Sequence, residues 1–294
     1  MNVRAIPRAY PGSPNFEEAD HYHVSDRVRA VRTRFVPGRT VLFHGLESSG
    51  SASFADAIAR AYRQMEREGR LSPGTGAYVF YTEGMAADLR EIFSGLASLG
   101  SYFHFIYSHS LYGSHRFLNR PSTYATLLRE PRERVLSLYN FHRSVSPATV
   151  GPIEEWLSDR RGVAHTQTWR LAFEFNAATA WGSYPARETL LELARENLTR
   201  QFQYVGITEL FEESLFLFCD RFGIPSVPTW CRFASTPGRL SLDGLSTEAR
   251  ERLEDLVAGD LILYDEYKAK LLAELGQKDF GSELSRYKRD MAGE

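Results

Sequence analysis

Arg129 and Ser137 are the residues of this chain whose types and spacing speak most directly of chemistry. They lie in TYATLLREPRERVLSLY, the segment from Thr123 to Tyr139. A short β-prone run, Tyr124–Leu128, ends on Arg129. Pro131 then opens a helix, where its missing N–H costs nothing because the first-turn donors are unpaired anyway. On that helix Val135, Leu138, Tyr139 and His142 follow i, i+3, i+4, i+7 spacing and should face inward. Arg134 and Ser137, three apart, share another face. A strand end thus presents a guanidinium and the next helix a hydroxyl, which are the parts of an anion site.

An upstream segment has the same plan. Thr40–His44 (TVLFH) is apolar and strand-like, and runs through Gly45, Leu46 and Glu47 into Ser48, Ser49, Gly50, Ser51, Ala52 and Ser53. Phe54, Ala57, Ile58, Ala61 and Tyr62 then repeat at helical spacing. A strand, a small polar loop and a helix N-terminus aim backbone N–H groups and the helix dipole at a phosphate. The serine hydroxyls can add donors. The pattern G-x-x-x-x-G-S lacks the Lys that a nucleoside triphosphatase loop carries after its second Gly, and no Mg²⁺-site signature accompanies it.

Together these segments resemble the PAPS-dependent sulfotransferases, closest to the group that includes heparan sulfate 2-O-sulfotransferase and its bacterial relatives. That family holds the 5′-phosphosulfate with H-x-P-K-T-G-G-T-S and the 3′-phosphate with T-x-L-R-D/E-P-x-x-R-x-x-S-x-Y. The second motif matches almost letter for letter; the first aligns with His44–Ser51. Ser108–Gly113 resembles G-H-x-x-Y-G, His165–Arg170 resembles N-x-Q-T-x-R, and Tyr204–Leu215 resembles F-V-G-x-T-E-x-F-x-x-S-L. The likeness spans roughly residues 38 to 275, with the motifs in the family's order.

The resemblance implies a P-loop-like sulfotransferase fold with PAPS or PAP as cosubstrate and no metal. Residues Ser48 to Ser53 would cradle the 5′ side, while Arg129 and Ser137 would bind the 3′-phosphate. Arg239 lies where relatives have a basic loop closing over that phosphate. His109 follows the β-prone run Phe103–Tyr107 and should sit at the sheet's C-terminal edge, in the position of the family's proposed base. His44 lines the same edge, His115 could approach the acceptor, and Gln167 and Arg170 would shape the acceptor cleft. His142 reads as a core residue, and His21 and His23 lack a third metal ligand.

Glu47 departs from the family: it stands where the loop lysine belongs, and the first Lys in the chain is Lys268. A carboxylate about 4 Å from a phosphate charge is opposed by on the order of 4 kcal/mol at an effective dielectric near 20. Glu47 must be turned away, or neutralised by an arginine, or the chemistry differs and Glu47 is itself an acid or base. Three readings therefore stand: sulfuryl transfer, a nucleotide-binding relative without catalysis, and an altered group transfer.

The remaining organisation is that of an α/β chain, a single domain with a mostly parallel sheet flanked by helices and a helical C-terminal part. Strands are expected near 40–45, 78–82, 103–107, 124–128 and 203–206, with helices at 52–68, 86–99, 131–143 and 209–222. Pro152 and Pro185 mark helix starts, and Ser246–Leu275 reads as two helices broken near Gly259. Residues 1–38 look like an arm, 39–276 the domain and 277–294 a charged tail. Arg27, Arg29, Arg32 and Arg34 in the arm form either a solvated face or a contact for an anionic acceptor. A net charge of −2 gives no attraction to nucleic acid, and no apolar run reaches membrane-span length. The N-terminus lacks the apolar core of a signal peptide, and two cysteines make no disulfide framework, so a cytoplasmic setting is expected. The acceptor would be a small molecule, a glycan or a natural product.

Overall fold

The computed structural model describes residues 39–79, 103–109, 112–118, 121–158, 166–174, 185–224 and 239–277, with short pieces at 281–282, 284–285 and 288–289. The N-terminal arm with its arginines and His21 and His23, the expected helix at 86–99, His165, Cys231 and most of the 232–239 stretch lie outside the described residues.

Five strands form one sheet: β1 Thr40–Gly45, β2 Ala77–Val79, β3 Phe105–His109, β4 Ser122–Leu128 and β5 Phe202–Ile207. Their order is β2-β3-β1-β4-β5, and every pairing is parallel. β1 is buried along its whole length, as expected for a central strand covered on both faces, and this is why it reads as an unbroken apolar run. The helices are α1 Ser51–Arg67, α2 Pro131–Val145, α3 Ile153–Ser158, α4 Gln167–Ala172, α5 Arg187–Gln201, α6 Phe211–Phe222 and α7 Thr247–Gln277. The chain is therefore α/β, with the alternation that its periodicities predict.

One face of the sheet packs on aromatic side chains of α1 and α6. Phe43 stacks on Phe54 at 5.2 Å, and Phe218 meets Phe43, Phe54, Phe105 and Tyr204 edge-on. The other face gathers His44, Tyr112, Tyr124 and Phe202. A register shift where β5 pairs with Tyr124 and Ala125 lets Phe202 join one face and Tyr204 the other, although they are two residues apart. A second apolar cluster joins α2, α3 and α7 through Val135, Tyr139, Ile153, Leu157, Leu253 and Val257.

Pro131 occupies the first turn of α2, and the Glu130 carboxylate caps that turn by accepting the Glu133 N–H at 2.9 Å. Val135, Leu138 and Tyr139 are buried as their spacing predicts, and His142 is half-buried. Arg134 is fully buried, so α2 is enclosed on two sides rather than one.

The expected break near Gly259 is absent. α7 runs unbroken for 31 residues. Its buried residues Ala249, Leu253, Val257, Asp260, Tyr264, Tyr267 and Leu271 keep one continuous stripe straight through the glycine. Tertiary burial of that stripe outweighs the ~1 kcal/mol propensity deficit of one Gly. A Cβ at Gly259 would lie 3.3 Å from Cγ of Arg187, a half-exposed side chain that can yield, and 3.7 Å from Cγ2 of Thr168. Gly259→Ala is accordingly expected to stabilise the protein by about 0.5–1 kcal/mol, read as a higher melting temperature. A lower one would mean that position 259 is held in a non-helical conformation.

Candidate functional site

The connection leaving β1 leads toward β3 and β2, whereas the connection leaving β4 leads toward β5. Strand order therefore diverges between β1 and β4, and the C-terminal ends of two such strands leave the crevice where open α/β sheets bind ligands. Both candidate anion segments open at this point.

After β1 the chain turns through Ser48, the only non-glycine residue of positive φ among those described (60°), and Gly50 at 75°. Positive φ is ordinary for a glycine but uncommon for a serine, so Ser48 marks the strained point of the turn. The Ser49 and Ser51 hydroxyls turn inward and donate to the Leu46 carbonyl at 2.7 and 3.1 Å, closing the loop on itself. Gly50 is the N-cap of α1, and no side chain caps it among the described residues. α1 thus opens directly from the loop that leaves β1.

After β4, Arg129 turns back onto that loop: its Nη1 donates to the Ser48 carbonyl at 2.9 Å. The Thr208 hydroxyl bridges the carbonyls of Ser49 and Leu128, tying the same two junctions again. The backbone of Arg129 is clamped by Gln167, whose Oε1 accepts its N–H at 3.0 Å and whose Nε2 donates to its carbonyl at 2.9 Å. Gln167 is 1 % exposed, and both ends of its amide are committed to holding Arg129.

Gln167 opens α4, and Asp260 of α7 holds that opening. Its carboxylate accepts the N–H groups of Gln167 and Thr168 at 2.6 and 2.7 Å and the Thr168 hydroxyl at 2.8 Å. Burial pushes the Asp260 pKa up, against these donors and Arg134. One turn along α4, Arg170 Nη2 donates to Glu47 Oε1 at 2.7 Å. The other oxygen, Oε2, lies 3.7 Å from Nη2 of Arg134. Burial disfavours the charged form of Glu47, but the Arg170 and Arg134 guanidiniums overcome it and hold the carboxyl well below the usual range. Glu47 is thus an ionised group neutralised by arginine.

His109 ends β3 on the same edge. Its Nδ1 lies 3.3 Å from the Gly45 carbonyl, which can only accept, so Nδ1 carries the proton. Nε2 is then the basic nitrogen, 3.5 Å from the Tyr107 hydroxyl, which in turn contacts Ser51 Oγ at 3.2 Å. Burial lowers the pKa of His109, with Glu47 and the Gly45 carbonyl opposing. The imidazole is therefore neutral, oriented and set in one tautomer, with Nε2 carrying no ring proton. Gly45 makes the arrangement possible: a Cβ there would lie 2.7 Å from the Tyr107 ring.

His44 is 2 % exposed, its Nδ1 accepting the Tyr112 N–H at 3.2 Å. His115 is occupied by Tyr124, with Nδ1 3.0 Å from the Tyr124 hydroxyl. Ser137 is half-buried on α2, one turn beyond Arg134. Arg239 is exposed, and the following residue, Leu240, is fastened to α2 by the Asn140 amide, which accepts its N–H at 2.9 Å and donates to its carbonyl at 3.0 Å. Residue 239 is thereby brought next to the helix carrying Ser137.

Asp260, Tyr107 and Thr208 join the site without having been singled out from the sequence, and Arg134, noted there only as sharing a helix face with Ser137, joins it as a buried partner of Glu47. A signal for Asp260 did exist, because it occupies a position in the apolar stripe of α7 that only a paired carboxylate tolerates. Among the described residues no group of three or more His, Cys, Asp or Glu side chains is placed to hold a metal ion. Among them, too, no helix is long and apolar enough to cross a membrane.

The buried histidines give stability a pH dependence with a definite sign. Burial, helped by Arg170, takes His44 from 6.5 to about 3. In the unfolded chain it titrates near 6.5, so below that pH the unfolded state binds a proton that the native state refuses. His44 thus supports folding fully above about pH 6.5 and progressively less below it, and His109 acts in the same sense. Urea unfolding at pH 7 and pH 5 should differ by about 2 kcal/mol on account of His44 alone. His44→Asn, whose Oδ1 can still accept the Tyr112 N–H, should remove that share. An unchanged slope in the variant would show that His44 titrates in the fold as it does in the unfolded chain.

No protein-family model matches this chain, and no curated protein matches it, so the reading of the site rests on its residues and their geometry.

Proposed function

We propose that the chain is a sulfotransferase-like enzyme that moves a sulfuryl group from PAPS to a hydroxyl of a small-molecule, glycan or natural-product acceptor. The observation that carries this reading is the hydrogen bond from Arg129 Nη1 to the Ser48 carbonyl. It brings the guanidinium of one strand-to-helix junction onto the turn of the other, at the divergence point of a parallel sheet. A nucleotide with phosphates at both ends of its ribose needs two such anion sites side by side, and each motif resembles the one that serves that end of PAPS.

In this reading the N-terminal N–H groups of α1 and the Ser48–Ser53 loop take the 5′ side, while Arg129, Ser137 and Arg239 take the 3′-phosphate. The acceptor oxygen attacks sulfur and the bond from sulfur to the bridging oxygen breaks. PAP leaves with that oxygen's electron pair, and the acceptor's proton passes to Nε2 of His109. The low pKa of Glu47 makes it a weak base, which disfavours an acid–base role for it. Gln167 acts on this reading through Arg129 rather than on the acceptor.

A second reading, nucleotide binding without transfer, is favoured by one observation: a carboxylate stands in the phosphate loop where transfer calls for a cation. Calorimetry with PAP separates the cases. Wild type should bind, and Arg129→Ala should bind about ten- to a hundredfold more weakly. Absence of heat from wild type removes the donor assignment. With PAPS and a panel of hydroxyl acceptors, His109→Gln should lower turnover by about 10²–10⁴-fold while leaving PAP affinity in place. PAP binding with no sulfate transferred by wild type to any acceptor would decide for the second reading.

A further inference from the structure

Glu47 does more in this fold than fail to be a lysine. Its two carboxylate oxygens are shared between two guanidiniums, with Oε1 2.7 Å from Arg170 Nη2 and Oε2 3.7 Å from Arg134 Nη2. A bridging carboxylate of this kind is the side-chain counterpart of a bound sulfate or phosphate, whose oxygens make the same charge-assisted contacts. The bridge lies just after the end of β1, immediately before the turn at Ser48, and within electrostatic reach of His109.

We propose that Arg170 and Arg134 form a tetrahedral-oxyanion site that the Glu47 carboxylate fills from within the chain, and that the sulfuryl end of a phosphosulfate donor enters by displacing it. The oxyanion site stands on its own geometry; its assignment to a phosphosulfate donor rests on the reading above.

Exposure sets how the exchange works. The side chains of Glu47 and Arg170 are 29 % and 27 % exposed, whereas that of Arg134 is 0 % exposed. Glu47 can swing into water, where its charge is solvated. Arg134 cannot follow, because it is fully buried on α2, where the charges of Glu47 and Asp260 both act on it. Departure of Glu47 alone would leave a buried guanidinium short of negative charge, which is strongly unfavourable. The carboxylate therefore leaves only as another anion arrives. Tethered within a few residues of the site, it competes at the millimolar effective concentrations typical of short flexible links. Free sulfate or phosphate should thus bind wild type poorly, and a donor anchored elsewhere by its 3′-phosphate should prevail.

The test uses the full chain and inorganic sulfate, with chloride at matched ionic strength as reference. Glu47→Gln keeps the shape and removes the competing charge. Its melting temperature should rise with sulfate concentration and yield an affinity about tenfold or more above that of wild type. The double variant Glu47→Gln with Arg170→Gln should lose the sulfate-specific part. If Glu47→Gln does not fold in chloride, recovery of the folded state on adding sulfate is the same expected result. Failure of sulfate either to stabilise or to rescue Glu47→Gln overturns the proposal, as does full retention of the effect in the double variant. PAP should compete with sulfate in Glu47→Gln. Sulfate binding without such competition would retain the oxyanion site and remove the adenosine donor.

Discussion

The carboxylate of Asp260 is the group on which the site's geometry depends. Almost wholly buried on the longest helix, it accepts two backbone N–H groups and a hydroxyl from the opening of α4. A short helix has little stability of its own, and six residues are far fewer than an isolated helix needs. Anchored by Asp260, α4 delivers two side chains to opposite sides of one crevice. Gln167 takes the backbone of Arg129, and Arg170 takes Glu47. Remove the anchor, and both junctions at the sheet edge lose their third point of support.

The same helix fixes the β4 junction in other ways. Arg132 forms a two-pronged pair with Glu254, at 2.6 and 2.8 Å, and Tyr264 donates to Glu209 at 2.9 Å. Glu209 also accepts the Glu130 N–H at 3.0 Å, at the entrance to α2. Exposed ion pairs of this kind contribute little individually. Their value here is positional: with Gln167 they hold the backbone that presents Arg129, while its guanidinium is directed onto Ser48.

Charge placement gives the crevice its character. Arg129, Arg134 and Arg170 converge on a small region, where burial and mutual repulsion weigh on Arg134 and the carboxylates of Glu47 and Asp260 oppose them. Such a region has a strong need for negative charge, and water supplies it poorly in a site of low dielectric. Beside it stands a neutral imidazole linked through Tyr107 to Ser51 of the loop. A cationic pocket and a neutral imidazole thus border one loop, the juxtaposition on which the proposed transfer depends.

The sequence alone determined the elements and the two junctions. Pro131 with its fixed φ, the apolar runs of β1 and β4 and the helical spacing of α1 and α2 are local properties, each set by a few neighbouring residues. They also marked Arg129 and His109 as residues at strand ends. The tertiary structure alone decided what those residues do to one another. The pairing of Glu47 with Arg170 and Arg134 joins three separate elements, and the grip of Asp260 on α4 spans nearly a hundred positions. The glycine at 259, a break when viewed locally, stays helical because a buried stripe runs through it. Periodicity reports which face of an element is apolar. It carries no information on which distant charge will meet another, because that depends on strand order and helix docking, settled only when the whole chain packs.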